Sequence, residues 1–249
     1  MSGHSKWSTI KRKKAAKDAQ KGKVFTRLIR EITVAAKEGG GDEESNPRLR
    51  TAIQDAKTAN MPLANIEKAV KKGTGELPGV SYEDVIYEGY APGGVALFMQ
   101  TLTDNKNRTV AEIRHILSKH GGSLGESGSV GWMFKKTGVL SVQADSVSED
   151  DLMMLVLDAG AEDIENDEDY FVVKTEPGNL SSVKQALDAS GIKYEDAKVV
   201  MEPQNTVAVE GKEAEQVLKL MDALEDQDDM QNIYANFDID DSIIEAYNS

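Results

Sequence analysis

Residues 138–204, GVLSVQADSVSEDDLMMLVLDAGAEDIENDEDYFVVKTEPGNLSSVKQALDASGIKYEDAKVVMEPQ, carry a regular alternation of strand and helix signals. Val139–Val142 has the residue types of a strand, and Ser148 has the chemistry of an N-cap for a helix over Leu152–Ala159. Gly160 ends that helix. Ala161–Glu165 and Tyr170–Thr175 read as strands on either side of an acidic turn. A helix over Leu180–Ala189 stops before Gly191, and Lys198–Glu202 is a last strand. The order is βαββαβ, that of a ferredoxin-like unit.

Downstream, Thr206–Val209 (a strand), Ala214–Leu224 (a helix) and Asn232–Phe237 (a strand) are too few for a domain of their own. They are expected to return and complete a sheet begun upstream. Val85–Tyr90 and Val95–Thr103 read there as strands joined by Ala91-Pro92-Gly93-Gly94. A helix follows, with Val110, Ile113, Ile116 and Leu117 apolar and with Thr109 and Glu112 at capping-box spacing. It ends at Gly121-Gly122, and Val130–Phe134 reads as a strand. On this reading 138–204 is an insertion within an α/β domain made of 80–137 plus 205–240.

Before the glycine-rich link Gly73–Val80, the apolar period changes from two residues to that of a helix. Val24, Phe25, Leu28, Ile29, Ile32 and Ala36 mark one stripe. Gly39–Gly41 stop that helix, and Asn46-Pro47 starts the next, with Leu49, Ile53 and Ala56 inward. Asn60 closes it. Pro62 opens a third helix, with Leu63, Ile66 and Val70 inward and Lys71-Lys72-Gly73 at its end. Residues 1–79 are thus expected to form a helical bundle. The fold class is α+β in three domains: a helical bundle and two α/β domains, the ferredoxin-like one inserted in the other.

Charge divides the chain at the same place. Residues 1–75 hold 17 Lys and Arg against 8 Asp and Glu, a net of +9, whereas 76–249 hold 12 against 35, a net of −23. An acidic body repels polyanions, so contact with one is confined to the basic end. There is no cysteine among the 249 residues, which removes disulfides and thiolate metal sites. No apolar run approaches the roughly 20 residues needed to cross a bilayer, and MSGHSKWSTIKRKK has no apolar signal-peptide core. A cytoplasmic protein with no membrane partner is expected.

Ten cations fall within 25 residues: Lys6, Lys11, Arg12, Lys13, Lys14, Lys17, Lys21, Lys23, Arg27 and Arg30. A solvated helix face is the bland explanation. Against it, only Asp18 interrupts the run, so pairing along the helix cannot account for the cations. Trp7 lies among them, where an aromatic ring can stack on a base. The Trp7–Gln20 segment lacks an apolar face of its own, which suits a chain that orders on a partner. No base-reading motif stands out.

Other motifs fall to plain structural explanations. The glycines of Gly121–Gly128 follow a helix and precede a strand, the reverse of a phosphate-binding loop. His115 and His120 lie five apart, off a common helical face, so zinc is not expected. The clusters Glu162–Asp169, Glu225–Asp229 and Asp238–Asp241 lack EF-hand spacing. No nucleophile elbow appears. The expectation is a non-enzyme with no cofactor and no small-molecule substrate.

Several stretches are more specific than their chemistry explains. Residues 2–38, Asn46-Pro-Arg-Leu-Arg50, Ala59-Asn-Met-Pro62, Tyr87-Glu-Gly-Tyr90, Leu102–Val110 and Ser129-Val-Gly-Trp-Met-Phe134 resemble the YebC/PmpR family over essentially the whole chain. Ala91 and Gly131 depart from the family's usual Gly and Ala but keep the small size. The resemblance implies three domains and a role in gene expression. Bacterial members are described as probable promoter-binding transcriptional regulators. Others, including a mitochondrial translational activator, act on the ribosome. No presequence precedes Ser2-Gly-His, so a bacterial protein is expected.

Lys6, Trp7, Lys11, Arg12, Lys13, Lys14, Lys23, Arg27, Arg30, Arg48 and Arg50 lie in the matching motifs and, with Lys17, are the candidate nucleic-acid contacts. Lys106 and Arg108 join them as cations in an acidic body. Pro92-Gly93-Gly94 and Asn105–Arg108 are candidate contact loops, with turn geometry and helix capping as the plain alternatives. Three functions follow: a DNA-binding transcriptional regulator, a ribosome-associated translation factor recognising RNA by shape, or a protein–protein adaptor.

Overall fold

The computed structural model of the protein describes residues 19–167 and 169–248, which form two compact units. One takes in the chain up to Trp132 and from Asn205 onward; the other is Met133–Gln204.

The first unit begins with three helices: α1 (Ala19–Gly39), α2 (Pro47–Thr58) and α3 (Leu63–Gly73). Their apolar faces meet in one cluster containing Ile32, Ala36, Leu49, Ile53, Ala56 and Ile66, with Phe25, Leu28 and Ile29 partly buried against it. Asn46 joins α1 to α2. Its side-chain oxygen accepts from the Leu49 N–H at 3.1 Å, and its amide donates to the carbonyls of Ala35 at 2.7 Å and Gly40 at 2.9 Å. Two expectations need correction here. Val24 is 40% exposed and Leu63 63% exposed: α1 buries its Phe25 side, and Leu63 is the first helical residue after the N-cap Pro62, before α3 meets its neighbours.

The same unit carries an antiparallel hairpin of β1 (Glu83–Tyr90) and β2 (Ala96–Thr103), in register from Glu83 opposite Thr103 to Tyr90 opposite Ala96. Pro92-Gly93-Gly94 makes the turn, where φ of +75° and +77° at the two glycines is accessible without strain only to glycine. Helix α4 (Lys106–Lys119) leads to the short β3 (Ser123–Leu124), which pairs with β1. After the second unit come β8 (Val207–Ala208), α7 (Gly211–Glu225), β9 (Met230–Ala235), β10 (Phe237–Asp238) and α8 (Asp241–Asn248). The sheet order is β3-β1-β2-β9, so the chain does return to complete this sheet. Leu97 and Met99, Ile113 and Leu117, and Val217, Leu218 and Met221 fill its core.

Here too the structure departs from expectation. Only β9 joins the sheet, whereas β8 pairs with β10 in a separate two-stranded ribbon. Thr109 does not cap α4: Asn105 does, accepting from the Arg108 N–H at 3.1 Å, and the helix starts at Lys106. Val130 to Met133 is not a strand but a turn with a short 3-10 segment at Gly131–Met133. Helix α8 had no counterpart in the sequence reading.

The second unit comprises β4 (Phe134–Gln143), α5 (Glu149–Asp158), β5 (Ala161–Asp167), β6 (Tyr170–Thr175), α6 (Leu180–Ala189) and β7 (Tyr194–Pro203). Its sheet order is β5-β6-β4-β7 with every pair antiparallel, which is the ferredoxin-like arrangement. Leu140, Val142, Phe171 and Val173 on the sheet pack against Leu152 and Val156 of α5 and Val183 and Leu187 of α6. Because β4 runs unbroken from Phe134, the unit starts upstream of the expected residue 138.

Candidate nucleic-acid interface

Lys6, Trp7, Lys11, Arg12, Lys13, Lys14 and Lys17 lie outside the described residues. The remaining seven candidates lie within them, and each one has a partner inside the molecule.

Lys23, Arg27 and Arg30 follow one another at spacings of four and three along α1, so helical geometry puts them on one side. All three reach the turn after α7. The Lys23 ammonium pairs with the Asp226 carboxylate at 2.6 Å. Arg27 donates to the Glu225 carbonyl at the negative end of α7, a part-buried contact. Burial holds the Arg27 guanidinium below its ordinary pKa, opposed by the charges of Glu225 and Asp226. Arg30 donates to the Asp228 carbonyl, to the Asp229 carboxylate at 2.9 Å and to the Leu102 carbonyl at 3.5 Å. Its guanidinium also lies over the Tyr82 ring, 5.4 Å from the centroid. A cavity of about 250 Å³ opens beside the outer part of this contact, with Lys23, Thr26, Arg27, Asp226 and Asp228 in its wall.

Asp229, 1% exposed, is the centre of the network. It accepts from Arg30, from Arg108 at 3.0 and 3.2 Å, from the Thr109 hydroxyl at 2.6 Å and from the Thr103 hydroxyl at 3.2 Å. Burial pushes its carboxyl pKa up. The Thr109 hydroxyl and the two arginines outweigh burial and hold the pKa below the usual range. Arg108 also bonds Asp104 at 2.8 Å, and its pKa is raised, chiefly by Asp229.

The other candidates are similarly engaged. Arg48 bonds Glu31 at 2.6 Å, Glu38 at 2.7 Å and Asp84 at 3.1 Å, and Glu31 above all raises its pKa. Arg50 donates to the carbonyls of Glu43 at 2.9 Å and Glu44 at 2.6 Å. Lys106 pairs with Glu83 at 2.7 Å, which raises the lysine pKa and lowers that of the glutamate. By contrast, Lys68 and Lys71 on α3 are exposed, and among the described residues neither forms an ion pair.

Two buried carboxylates were missed by the sequence reading. Asp229 sits in an acidic tetrad with nothing local to mark it. Glu88, 7% exposed, lies in the Tyr87–Tyr90 motif and accepts from three backbone N–H groups: Gly128 at 2.8 Å, Val130 at 2.6 Å and Gly131 at 2.8 Å. Burial raises its pKa, and the three amides outweigh that and lower it. This ties the Tyr87–Tyr90 motif to the Ser129–Phe134 motif. Trp132 at its edge is 67% exposed, with its indole N–H donating to the Ser129 carbonyl at 3.1 Å.

Known proteins share this architecture. A crystal structure of a conserved hypothetical protein from Aquifex aeolicus superposes with a TM-score of 0.81 at 50% identity, covering 90% of this chain and 92% of that one. A protein of Pseudothermotoga lettingae named a probable transcriptional regulatory protein is 57% identical over 99% of this chain and 97% of its own. A protein of the same name from Desulfatibacillum aliphaticivorans is 59% identical over 98% of this chain and 99% of its own. Residues 5–76 match the TACO1/YebC protein N-terminal domain and residues 82–237 the TACO1/YebC second and third domain. The chain belongs to the TACO1/YebC family.

Proposed function

We propose that the protein is a nucleic-acid-binding regulator of gene expression that grips phosphate backbones through its basic N-terminal module, with promoter duplex as its first target. The observation that carries this is the charge polarity: +9 over residues 1–75 against −23 over the rest. Such a molecule approaches a polyanion with one end only. Relatives named probable transcriptional regulatory proteins support the regulatory role. The protein is proposed to act by binding, without catalysis.

A second reading has an observation of its own. Helices α2 and α3 are joined by the four residues Ala59–Pro62, a connection of helix-turn-helix length. In such a motif the start of the second helix reads bases. Here that start is Leu63, Ala64 and Asn65, exposed and without a cation. Backbone contact without base reading suits structured ribosomal RNA as well as duplex DNA. A sucrose gradient of bacterial lysate containing tagged protein separates the two targets. Comigration with ribosomal particles favours the translation factor. Protein left at the top, together with binding to promoter duplex in a salt-titrated assay, favours the transcriptional regulator.

A further inference from the structure

The turn Glu225-Asp226-Gln227-Asp228-Asp229 places four carboxylates within five residues, directly after the negative end of α7. It lies against the face of α1 that carries Lys23, Arg27 and Arg30, the cations of that helix proposed above to meet a phosphate backbone. Lys23 meets the Asp226 carboxylate, Arg27 the Glu225 carbonyl, and Arg30 the Asp228 carbonyl and the Asp229 carboxylate. We infer that this turn is a built-in polyanion mimic, which a nucleic-acid phosphate backbone must displace from Lys23 and Arg27 in order to bind there. The inference rests on the function proposed above and concerns the regulation of that same site.

Three features of the contact fit displacement. It is polar: Lys23, Arg27 and Arg30 meet the turn through ion pairs and hydrogen bonds to its carboxylates and carbonyls. It is graded: the Lys23–Asp226 pair is 47% and 74% exposed, whereas Arg30 and Asp229 are 12% and 1% exposed. Exposed pairs are weak and exchange readily with solvent ions. The outer end therefore opens first, while Arg30 and Asp229 hold α1 in place. Finally, the cavity of about 250 Å³ lies at that outer end. It has room for several waters, each occupying about 30 Å³, or for a phosphate group that approaches Lys23 and Arg27 before Asp226 has left. The turn thus sets a threshold. Dense polyanions displace it, and isolated anions do not.

The test neutralises the turn without removing its backbone acceptors: Glu225→Gln, Asp226→Asn and Asp228→Asn together in the full chain, leaving Asp229 intact. A control carries the same change in net charge at exposed positions elsewhere in the body, Glu126→Gln, Glu210→Gln and Glu213→Gln. Thermal unfolding verifies that both fold. Inorganic polyphosphate is titrated calorimetrically, and a labelled RNA hairpin and a DNA duplex by fluorescence anisotropy. The turn variant is expected to bind polyphosphate about tenfold more tightly than the unmodified protein, the control less than about twofold. Adding Lys23→Gln to the turn variant is expected to cancel most of the gain. Equal gains in both variants reduce the effect to long-range charge and overturn the inference, as does weaker binding by the turn variant. If polyphosphate shows the gain while RNA and DNA bind none of the proteins, the gate stands and the nucleic-acid reading falls.

Discussion

Asp229 shows how a buried charge is kept. Taking a carboxylate out of water is costly unless it is paired and hydrogen-bonded. Here two guanidinium groups and two hydroxyls supply the pairing. The folded-state pKa lies below the ordinary value. The contribution to stability is therefore full at neutral pH and is lost as pH falls through that lowered pKa. Asp229→Asn removes the charge that Arg30 and Arg108 were arranged around. It is expected to cost about 3 kcal/mol in urea unfolding at neutral pH. The cost should shrink as the unmodified protein is itself acidified below the carboxylate range; a cost independent of pH would contradict the ionised state.

At the scale of elements, a glycine with no room around it and one in open space make opposite predictions. Gly73 ends α3 against α1: an added Cβ would lie 2.7 Å from the Ala36 Cβ and closer still to the Thr33 carbonyl. Gly73→Ala is expected to destabilise the chain by about 2 kcal/mol through overpacking. Gly22, in α1, has nothing within 4 Å of an added Cβ, so Gly22→Ala is expected to stabilise by about 0.5–1 kcal/mol. Thermal unfolding of both variants checks the pair. Elements with strong local signals were legible in the sequence. The Asn46-Pro47 start of α2, the glycine stop of α1 and the βαββαβ order all rest on chemistry within a few residues. What was not legible depends on distant partners. Thr109 looks like a cap, but its hydroxyl is taken by Asp229, 120 positions away. Val130 looks like strand, but its N–H is bound by the buried Glu88.

Across the whole molecule, the candidate site was legible as a charge pattern but not as a surface. The pattern could not show that Lys23, Arg27, Arg30, Arg48, Arg50, Lys106 and Arg108 all find partners within the chain, because those partners come from other elements. In the proposed function the N-terminal run Lys6–Lys17 is therefore expected to carry the larger share of phosphate contact, with Lys23 and Arg27 added once the acidic turn yields. If six side chains meet phosphates on a DNA duplex, log affinity falls against log salt with a slope of about −5.

The most direct test is the salt dependence of nucleic-acid binding, measured side by side for the unmodified protein and for the variant Lys11→Glu, Arg12→Glu, Lys13→Glu, Lys14→Glu, on a DNA duplex and on ribosomal RNA. The unmodified protein is expected to bind at least one of the two with a slope of about −5, and the variant to lose that binding at physiological salt. Undiminished binding by a folded variant would place the contact elsewhere on the molecule and rule out the basic N-terminal run as the binding element.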